Sequence, residues 1–333
     1  CALPILKIVN LDGYTTNPGD LSWEQFKKYG DLTVYERTSQ EDVVSRAKGA
    51  DVLIINKTVL DGDTLRKLSP ELKYVGLQST GYNVVDCETA KELGITVSNI
   101  PAYSTNAVAQ LVFSLILAFT NRVELHSKAV HNGEWCTCPD FCFWKAPLAE
   151  LDGKTIGIIG FGAIGRRVAE IAEVFGMNVL AFAPHPKEAG SLKKTRFTDV
   201  DTILKESDFV TCHCPLTSQT NSMMNAEAFS KMKKSAVFIN TSRGPVVDEQ
   251  ALADALNSGK IAGAGLDVLE TEPAKADNPL LTAKNCLITP HIAWAAYETR
   301  KRLLGILEDN LNAFISGNPQ NVVKIGRASC RER

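Results

Sequence analysis

Gly160-Phe161-Gly162-Ala163-Ile164-Gly165 fits the pattern G-x-G-x-x-G, and its setting constrains the fold more than any other stretch. It follows the apolar run Thr155-Ile156-Gly157-Ile158-Ile159 and opens a helix-like segment, Ile164 to Phe175, where a βαβ unit would turn from strand into helix. On that reading Gly160 permits the tight turn, Gly162 lets backbone approach a pyrophosphate, and Gly165 allows close packing of helix on strand. The N–H groups at the helix N-terminus then hold the anion.

The strand-helix rhythm runs through the chain. In the first hundred residues, Leu6 to Leu11, Leu32 to Tyr35, Val52 to Ile55, Tyr74 to Leu77 and Ile95 to Val97 are short and rich in β-branched residues, which predicts strands. Trp23 to Tyr29, Glu41 to Ala47, Asp61 to Leu68 and Asp86 to Leu93 between them predict helices. A long apolar helix follows from about Asn106 to Val123, behind the candidate caps Ser104 and Thr105. Residues 132–147, with three cysteines, two Trp and two Pro, read as an irregular loop.

The rhythm restarts at Lys154, with strands at Thr155 to Ile159, Asn178 to Phe182, Phe209 to Cys212, Ala236 to Asn240, Ala264 to Val268 and Cys286 to Thr289. A last amphipathic helix, about Trp294 to Ser316, stops at Gly317-Asn318-Pro319. Alternating βα units imply doubly wound α/β architecture, parallel sheets with helices on both faces. Two such series joined by one long helix and followed by another suggest a nested arrangement, the last helix returning to the first domain.

Composition narrows the function classes. A chain of 333 residues suggests two domains. Its 36 basic side chains against 38 acidic ones argue against a nucleic-acid or membrane-surface partner, which needs an excess of Lys and Arg. No run of 18 apolar residues without a charge is present, so no membrane span is expected. Nine cysteines, partly inside apolar strand-like runs, read as reduced thiols of a cytoplasmic protein. Both ends read as foreign to the fold. The residues before a start at Leu6 lack the positive region of a signal peptide, and 325–333, with Arg327, Arg331 and Arg333, resemble a translated sequencing adapter.

Three charged residues fall just past predicted strands, where open α/β sheets place ligands. Arg243 lies in Asn240-Thr241-Ser242-Arg243-Gly244-Pro245, Glu272 in Asp267-Val268-Leu269-Glu270-Thr271-Glu272-Pro273, and His291 in Thr289-Pro290-His291-Ile292. Each alone fits a bland role: a surface cation, a turn residue, a core imidazole. Together, behind a dinucleotide fingerprint, they point to a catalytic set. Here the chain resembles the D-isomer-specific 2-hydroxyacid dehydrogenases, over essentially Lys7 to Val323. The resemblance rests on the fingerprint, the Asn-x-x-Arg-Gly turn, the Asp-Val with Glu-Pro five residues later, and the Pro-His-Ile. Within that family it is most similar to the glycerate dehydrogenases, also called hydroxypyruvate reductases, an impression strengthened by Pro139-Asp140-Phe141-Cys142-Phe143-Trp144.

The resemblance implies a Rossmann cofactor domain at 102–291, inserted into a flavodoxin-like substrate domain at 1–101 and 292–324, in a protein that usually forms homodimers. It implies NAD(P)H-dependent, reversible reduction of a small 2-oxo acid, hydroxypyruvate or glyoxylate, to the D-2-hydroxy acid. That chemistry needs a hydride and a proton for the developing alkoxide, and histidine is suited to donate the proton near neutral pH. His291 takes this role, with Glu272 matching the carboxylate that orients its other ring nitrogen. Arg243 matches the residue that binds the substrate carboxylate and carbonyl oxygen, a task suited to a planar fork of donors. Ser79, Thr80 and Gly81 align with a loop whose backbone N–H groups grip the carboxylate. Asp267 aligns with the acid that holds the nicotinamide carboxamide. Cys214, Pro215, Thr220 and Thr241 match cofactor-lining positions, with Ala163 and Ile164 at the pyrophosphate.

One position departs from the pattern. An Asp or Glu about 20 residues past the fingerprint normally accepts the adenosine ribose hydroxyl, yet Ala183 stands there. Its loss removes the repulsion that excludes a 2′-phosphate, and His185 and Lys187 stand nearby as candidate phosphate partners, so NAD is expected with NADP open. Asn56, Lys57 and Tyr82 are candidate residues for shaping the substrate pocket. Cys136, Cys138 and Cys142 with His126 and His131 invite a metal reading, but only Cys138 to Cys142 has structural-zinc spacing, and no metal is expected. The alternative function class is an NAD-sensing, corepressor-like binding protein, which a missing catalytic residue would favour. Related phosphoglycerate, D-lactate, formate and phosphite dehydrogenases are the neighbouring enzyme readings.

Overall fold

The computed structural model describes residues 5–185 and 188–323. Lys187 and the tail at 325–333 lie outside the described residues. The described chain divides into two compact units, one of the residues up to Tyr103 together with 295–323, the other spanning Ser104–Trp294.

In the first unit, β1 (Leu6–Asn10), β2 (Gly30–Val34), β3 (Val52–Ile55), β4 (Tyr74–Leu77) and β5 (Thr96–Ser98) form a parallel sheet in the order β2-β1-β3-β4-β5. This is the flavodoxin-like order. β3 and β4 are buried along their whole length, which is why they read as unbroken apolar runs. The helices are α1 (Val43–Ala47), α2 (Gly62–Leu68) and α3 (Cys87–Glu92). Asp61 and Asp86 cap α2 and α3 by accepting the N–H of Thr64 and Thr89. The helix expected over Trp23 to Tyr29 is instead a 3-10 turn, Glu24–Tyr29: Trp23 offers no capping oxygen, and Phe26 is the one residue it buries. The last helix, α10 (Tyr297–Ile315), belongs to this unit and turns Leu303, Leu304, Leu307 and Leu311 inward.

The second unit opens on α4 (Thr105–Thr120), buried on most of its faces, and α5 (Val123–His131), which buries only Ala129. One helix ending near Val123 was the expectation. Instead the chain bends by 54° between the two, at Asn121 and Arg122, where Arg122 takes a left-handed φ of +49°. The bend releases the chain from the core once the apolar face of α4 is spent. Among the described residues no single helix is long and apolar enough to cross a membrane.

Seven parallel strands follow: β6 (Thr155–Ile159), β7 (Asn178–Phe182), β8 (Thr195–Phe197), β9 (Phe209–Cys212), β10 (Val237–Asn240), β11 (Gly263–Leu266) and β12 (Cys286–Ile288). Their order is β12-β11-β10-β9-β6-β7-β8, the Rossmann order with one strand added at an edge. Six strands were expected. β8 escaped because three residues carry no periodicity. It is pinned by the Glu173 carboxylate, which accepts the N–H groups of Lys193 and Lys194 and the Thr195 hydroxyl. α4 and α6 (Ala163–Val174) cover one face of the sheet; α7 (Val200–Glu206), α8 (Ala226–Lys231) and α9 (Glu249–Asn257) cover the other. The order reverses between β6 and β9, so a crevice is expected beyond their carboxyl ends.

Candidate active site

The glycine turn sits at that reversal. Gly160 has φ +103°, and a Cβ there would lie 2.5 Å from the His213 carbonyl, so only glycine lets the end of β6 meet the end of β9. A Cβ on Gly165 would lie 2.1 Å from the Gly160 carbonyl oxygen, which is the close helix-to-strand contact the fingerprint requires. α6 then begins at Ala163 with Gly162 as its cap residue and no side-chain cap. Its first N–H groups are left without a side-chain acceptor, and such groups can take an anion. Thr241 Oγ1, past β10, is buried with no hydrogen-bond partner among the described residues. An uncapped glycine cradle and an orphaned hydroxyl fit a dinucleotide with its own hydrogen-bonding groups.

Other expected cofactor positions are engaged in shaping the same edge. Cys214 is buried, which pushes its thiol up to about 11 and leaves it an inert wall. The Thr220 hydroxyl donates to the Pro215 carbonyl at 2.7 Å and closes the turn after β9. Ala183 follows β7 directly, partly buried against the α4–α6 face, and Phe182 accepts the Gly160 N–H at 3.0 Å. Ala183 therefore adjoins the glycine turn and brings no polar side chain to it. His185 is exposed two residues on.

Arg243, Glu272 and His291 all project from the carboxyl edge of this sheet. Asn240 fixes the arginine's turn: its side chain accepts from Ser242 N–H and hydroxyl and donates to the Arg243 carbonyl. Arg243 is exposed, with Nη1 on the Ser242 carbonyl. Gly244 next to it is pressed onto the chain past β11, where a Cβ would lie 1.9 Å from the Leu269 carbonyl. That contact draws the arginine turn against the start of the loop bearing Glu272.

Glu272 Oε2 lies 2.6 Å from His291 Nδ1, and its Oε1 accepts the Leu269 N–H at 3.1 Å. Both side chains are about one-third exposed, at 33% and 36%. The His291 backbone has φ +53°, a region unusual for a residue with a Cβ. Asp267 holds it there. Its carboxylate, 1% exposed, accepts the Thr289 hydroxyl at 2.6 Å and the N–H groups of Ile292 and Ala293 at 2.8 and 2.9 Å, while its carbonyl accepts the His291 N–H. Three of roughly four acceptor sites of that carboxylate are thus committed to the histidine's turn.

Ser79, Thr80 and Gly81 follow β4 in the first unit. The Ser79 hydroxyl donates to the Gly81 carbonyl, that of Thr80 to Ile100, and Asn99 donates to the Thr80 carbonyl. None of these bonds uses the N–H groups of the loop. In the same unit Asp12 accepts the N–H groups of Asn56, Lys57 and Thr58, fixing the loop past β3 with Lys57 exposed. Among the described residues no group of three or more His, Cys, Asp or Glu side chains is placed to hold a metal. His126 is engaged at both nitrogens, Nδ1 donating to the Arg122 carbonyl and Nε2 accepting the Lys145 N–H.

One residue at this edge escaped the sequence reading. His213, between Cys212 and Cys214, places Nε2 2.9 Å from Thr211 Oγ1, and its Nδ1 is buried without a partner among the described residues. Burial pushes its pKa down to about 3, so it is neutral at physiological pH. The available signal was its place beside the Cys214-Pro215 pair at the end of a parallel strand.

A Rossmann sheet with an anion cradle, a histidine–carboxylate pair and an arginine at its strand ends defines a nicotinamide-dependent oxidoreductase. The model of the D-isomer specific 2-hydroxyacid dehydrogenase NAD binding domain matches residues 113–293. A hydroxypyruvate reductase of Blautia hydrogenotrophica is 49% identical over 96% of this chain and 99% of its own length. A glycerate dehydrogenase of Methylorubrum extorquens is 41% identical over the same shares, 96% and 99%. Among solved structures, an acyclic imino acid reductase in complex with NADPH and D-Arg superposes with a TM-score of 0.82 at 33% identity, covering 96% of this chain and 100% of that one. The chain belongs to the D-isomer-specific 2-hydroxyacid dehydrogenases, oxidoreductases that interconvert 2-hydroxy and 2-oxo acids with a nicotinamide cofactor.

Proposed function

We propose that the chain reduces hydroxypyruvate, and glyoxylate as a smaller analogue, to D-glycerate and glycolate, using NADH and tolerating NADPH. The observation that carries this is the 2.6 Å contact between His291 and Glu272 on the sheet edge that bears the glycine cradle. The substrate follows the relatives named for hydroxypyruvate and glycerate.

When bound, the nicotinamide supplies the hydride for the carbonyl carbon. Because Glu272 engages Nδ1, Nε2 is the His291 atom left to donate a proton as the carbonyl oxygen becomes an alkoxide. Glu272 fixes the ring's orientation, and Arg243 offers its exposed fork to the substrate carboxylate and carbonyl oxygen. In the other unit, the backbone N–H groups of the Ser79–Thr80–Gly81 loop are donors suited to a carboxylate. The uncapped N–H groups of Ala163 and Ile164 would hold the pyrophosphate, Thr241 would offer its hydroxyl, and the remaining acceptor site of Asp267 would serve the carboxamide. On this reading the unit Ser104–Trp294 binds the cofactor and carries Arg243, Glu272 and His291, and the other unit carries the Ser79–Thr80–Gly81 loop.

The absence of a carboxylate at Ala183 supports weak discrimination between the two cofactors. A homodimer is supported by the exposed apolar residues of α5 and the loop after it, and a cytoplasmic site by the free state of the described cysteines. The deciding experiment assays the purified protein with hydroxypyruvate, glyoxylate, pyruvate and 3-phosphohydroxypyruvate against NADH and NADPH, with chiral analysis of the product. Highest kcat/KM for hydroxypyruvate and a D-product are expected. Preference for pyruvate or the phosphorylated acid, or an L-product, overturns the substrate reading.

A further inference from the structure

The loop that carries Glu272 has little of its own to hold it. Residues 270–277 are all exposed, Pro273, Ala274 and Ala276 included, so no apolar side chain anchors them. Only its flanks are buried: Leu269 at 7% exposure and Asn278 at 9%. Within the loop, Glu272 accepts the Leu269 N–H and Asn278 N–H donates to the Lys275 carbonyl. Yet Glu272 must stay within hydrogen-bond reach of His291 for the pair to work, and a displacement of about 1 Å can cost two orders of magnitude in rate.

Glu249, the first residue of α9, reaches both ends of this loop. Its Oε1 accepts the Glu270 N–H at 2.8 Å and its Oε2 accepts Asn278 Nδ2 at 2.7 Å. Asn278 in turn accepts the Leu280 N–H and so caps the 3-10 turn Pro279–Thr282. Glu249 is itself set in place by its neighbour: Asp248 caps α9 through the Ala251 N–H, and its own N–H donates to Met224. The segment from Arg243 to Glu249 thus ends in a side chain that clamps the loop of Glu272, while its Gly244 is pressed against the backbone at Leu269.

We propose that Glu249 is a positioning residue for the Glu272–His291 pair, its carboxylate bridging Glu270 N–H and the Asn278 side chain so that the exposed loop between them has one conformation. The proposal rests on the reading of Glu272 and His291 given above. Glu249 acts through Glu272 and touches neither substrate nor cofactor.

The test is a double-mutant cycle on the full chain, with kcat measured for the 2-oxo acid it reduces best. Glu249→Ala is expected to lower kcat about tenfold, leaving the KM for the cofactor and Tm near native. In a Glu272→Ala background the same change is expected to alter kcat less than about twofold, because the group it positions is gone. Glu249→Gln keeps an acceptor for the Glu270 N–H but turns an amide NH2 toward the Asn278 Nδ2 donor, so it is expected to recover only part of the loss. Native kcat in Glu249→Ala, or full multiplication of the two losses in the double variant, each overturns the positioning role. If Glu272→Ala itself retains native kcat, the reading of the pair falls and the positioning role with it; if Glu272→Ala is impaired while Glu249→Ala is not, only the positioning role falls.

Discussion

His291 holds φ +53°, and a residue with a Cβ persists there only when its surroundings over-determine it. The sequence names the histidine, since Thr-Pro-His past an apolar strand is a short and specific phrase. It does not show that the buried carboxylate of Asp267 binds the turn, because a hydrogen-bond set assembled from residues 22 to 26 positions apart leaves no local pattern. Removing the imidazole, His291→Ala, is expected to lower kcat by about a hundredfold or more, the usual scale for loss of a general acid; near-native turnover would remove it from the mechanism. Arg243→Lys keeps the charge and loses the fork, so kcat/KM for hydroxypyruvate is expected to fall steeply, and an unchanged value sinks that assignment. At Ala183 the chemistry and the family pattern diverge. Ala183→Asp restores an acceptor for the ribose hydroxyls and repels a 2′-phosphate, so kcat/KM with NADPH should fall while that with NADH holds or rises. Strong rejection of NADPH by the native protein would show that another group excludes the phosphate.

Elements were legible where an apolar pattern sets them and obscure where polar contacts do. β3, β4, β6 and β9 stand out as apolar runs, but β8 and the bend between α4 and α5 depend on Glu173 and on the backbone of Arg122, neither of which a hydrophobic period reveals. The start of α10 is a further case. Its leucines announce the helix, yet the buried Arg300 fastens its first turn: Nη1 and Nη2 bind the two Asp20 oxygens at 2.7 and 2.6 Å, Nη1 also donates to the Thr16 carbonyl, and Nε to that of Ala295. The hydrogen bonds from Arg300 hold the Asp20 carboxyl below its ordinary 3.8. A group whose pKa is lowered on folding adds stability above its unfolded value and loses it as pH falls through the folded one. Asp20→Asn should therefore lower Tm at neutral pH, leaving Arg300 buried without its charge partner. The gap between variant and native should close as the pH drops below about 4. A gap that is constant with pH would mean that the pair contributes through shape rather than charge.

At the scale of the whole molecule, the two parallel sheets follow from the repeated βα rhythm, because right-handed parallel connections leave few other ways to bury two apolar series, whereas the rhythm only suggests the return of α10 to the first unit. What the rhythm cannot express is what the molecule does with the surface left over. α5 and the loop after it expose Val123, Leu125, Trp135, Phe141, Trp144 and Leu148, with Phe141 at 89% and Trp144 at 68%. The loop is nonetheless ordered from within: Trp135 Nε1 donates to the Phe141 carbonyl, and Lys145 pairs with Glu134 at 2.5 Å. A structured segment that presents several aromatic and aliphatic side chains to water is suited to an association surface. A second copy of the chain is the proposed occupant, and aromatic residues of this kind are the usual anchors of such interfaces. Light scattering on the native protein is expected to give the mass of a dimer. Phe141→Glu with Trp144→Glu places two charges on the face, and should yield a monomer with the same far-ultraviolet circular dichroism. A native monomer, or a double variant that stays dimeric, would remove this face from the assembly.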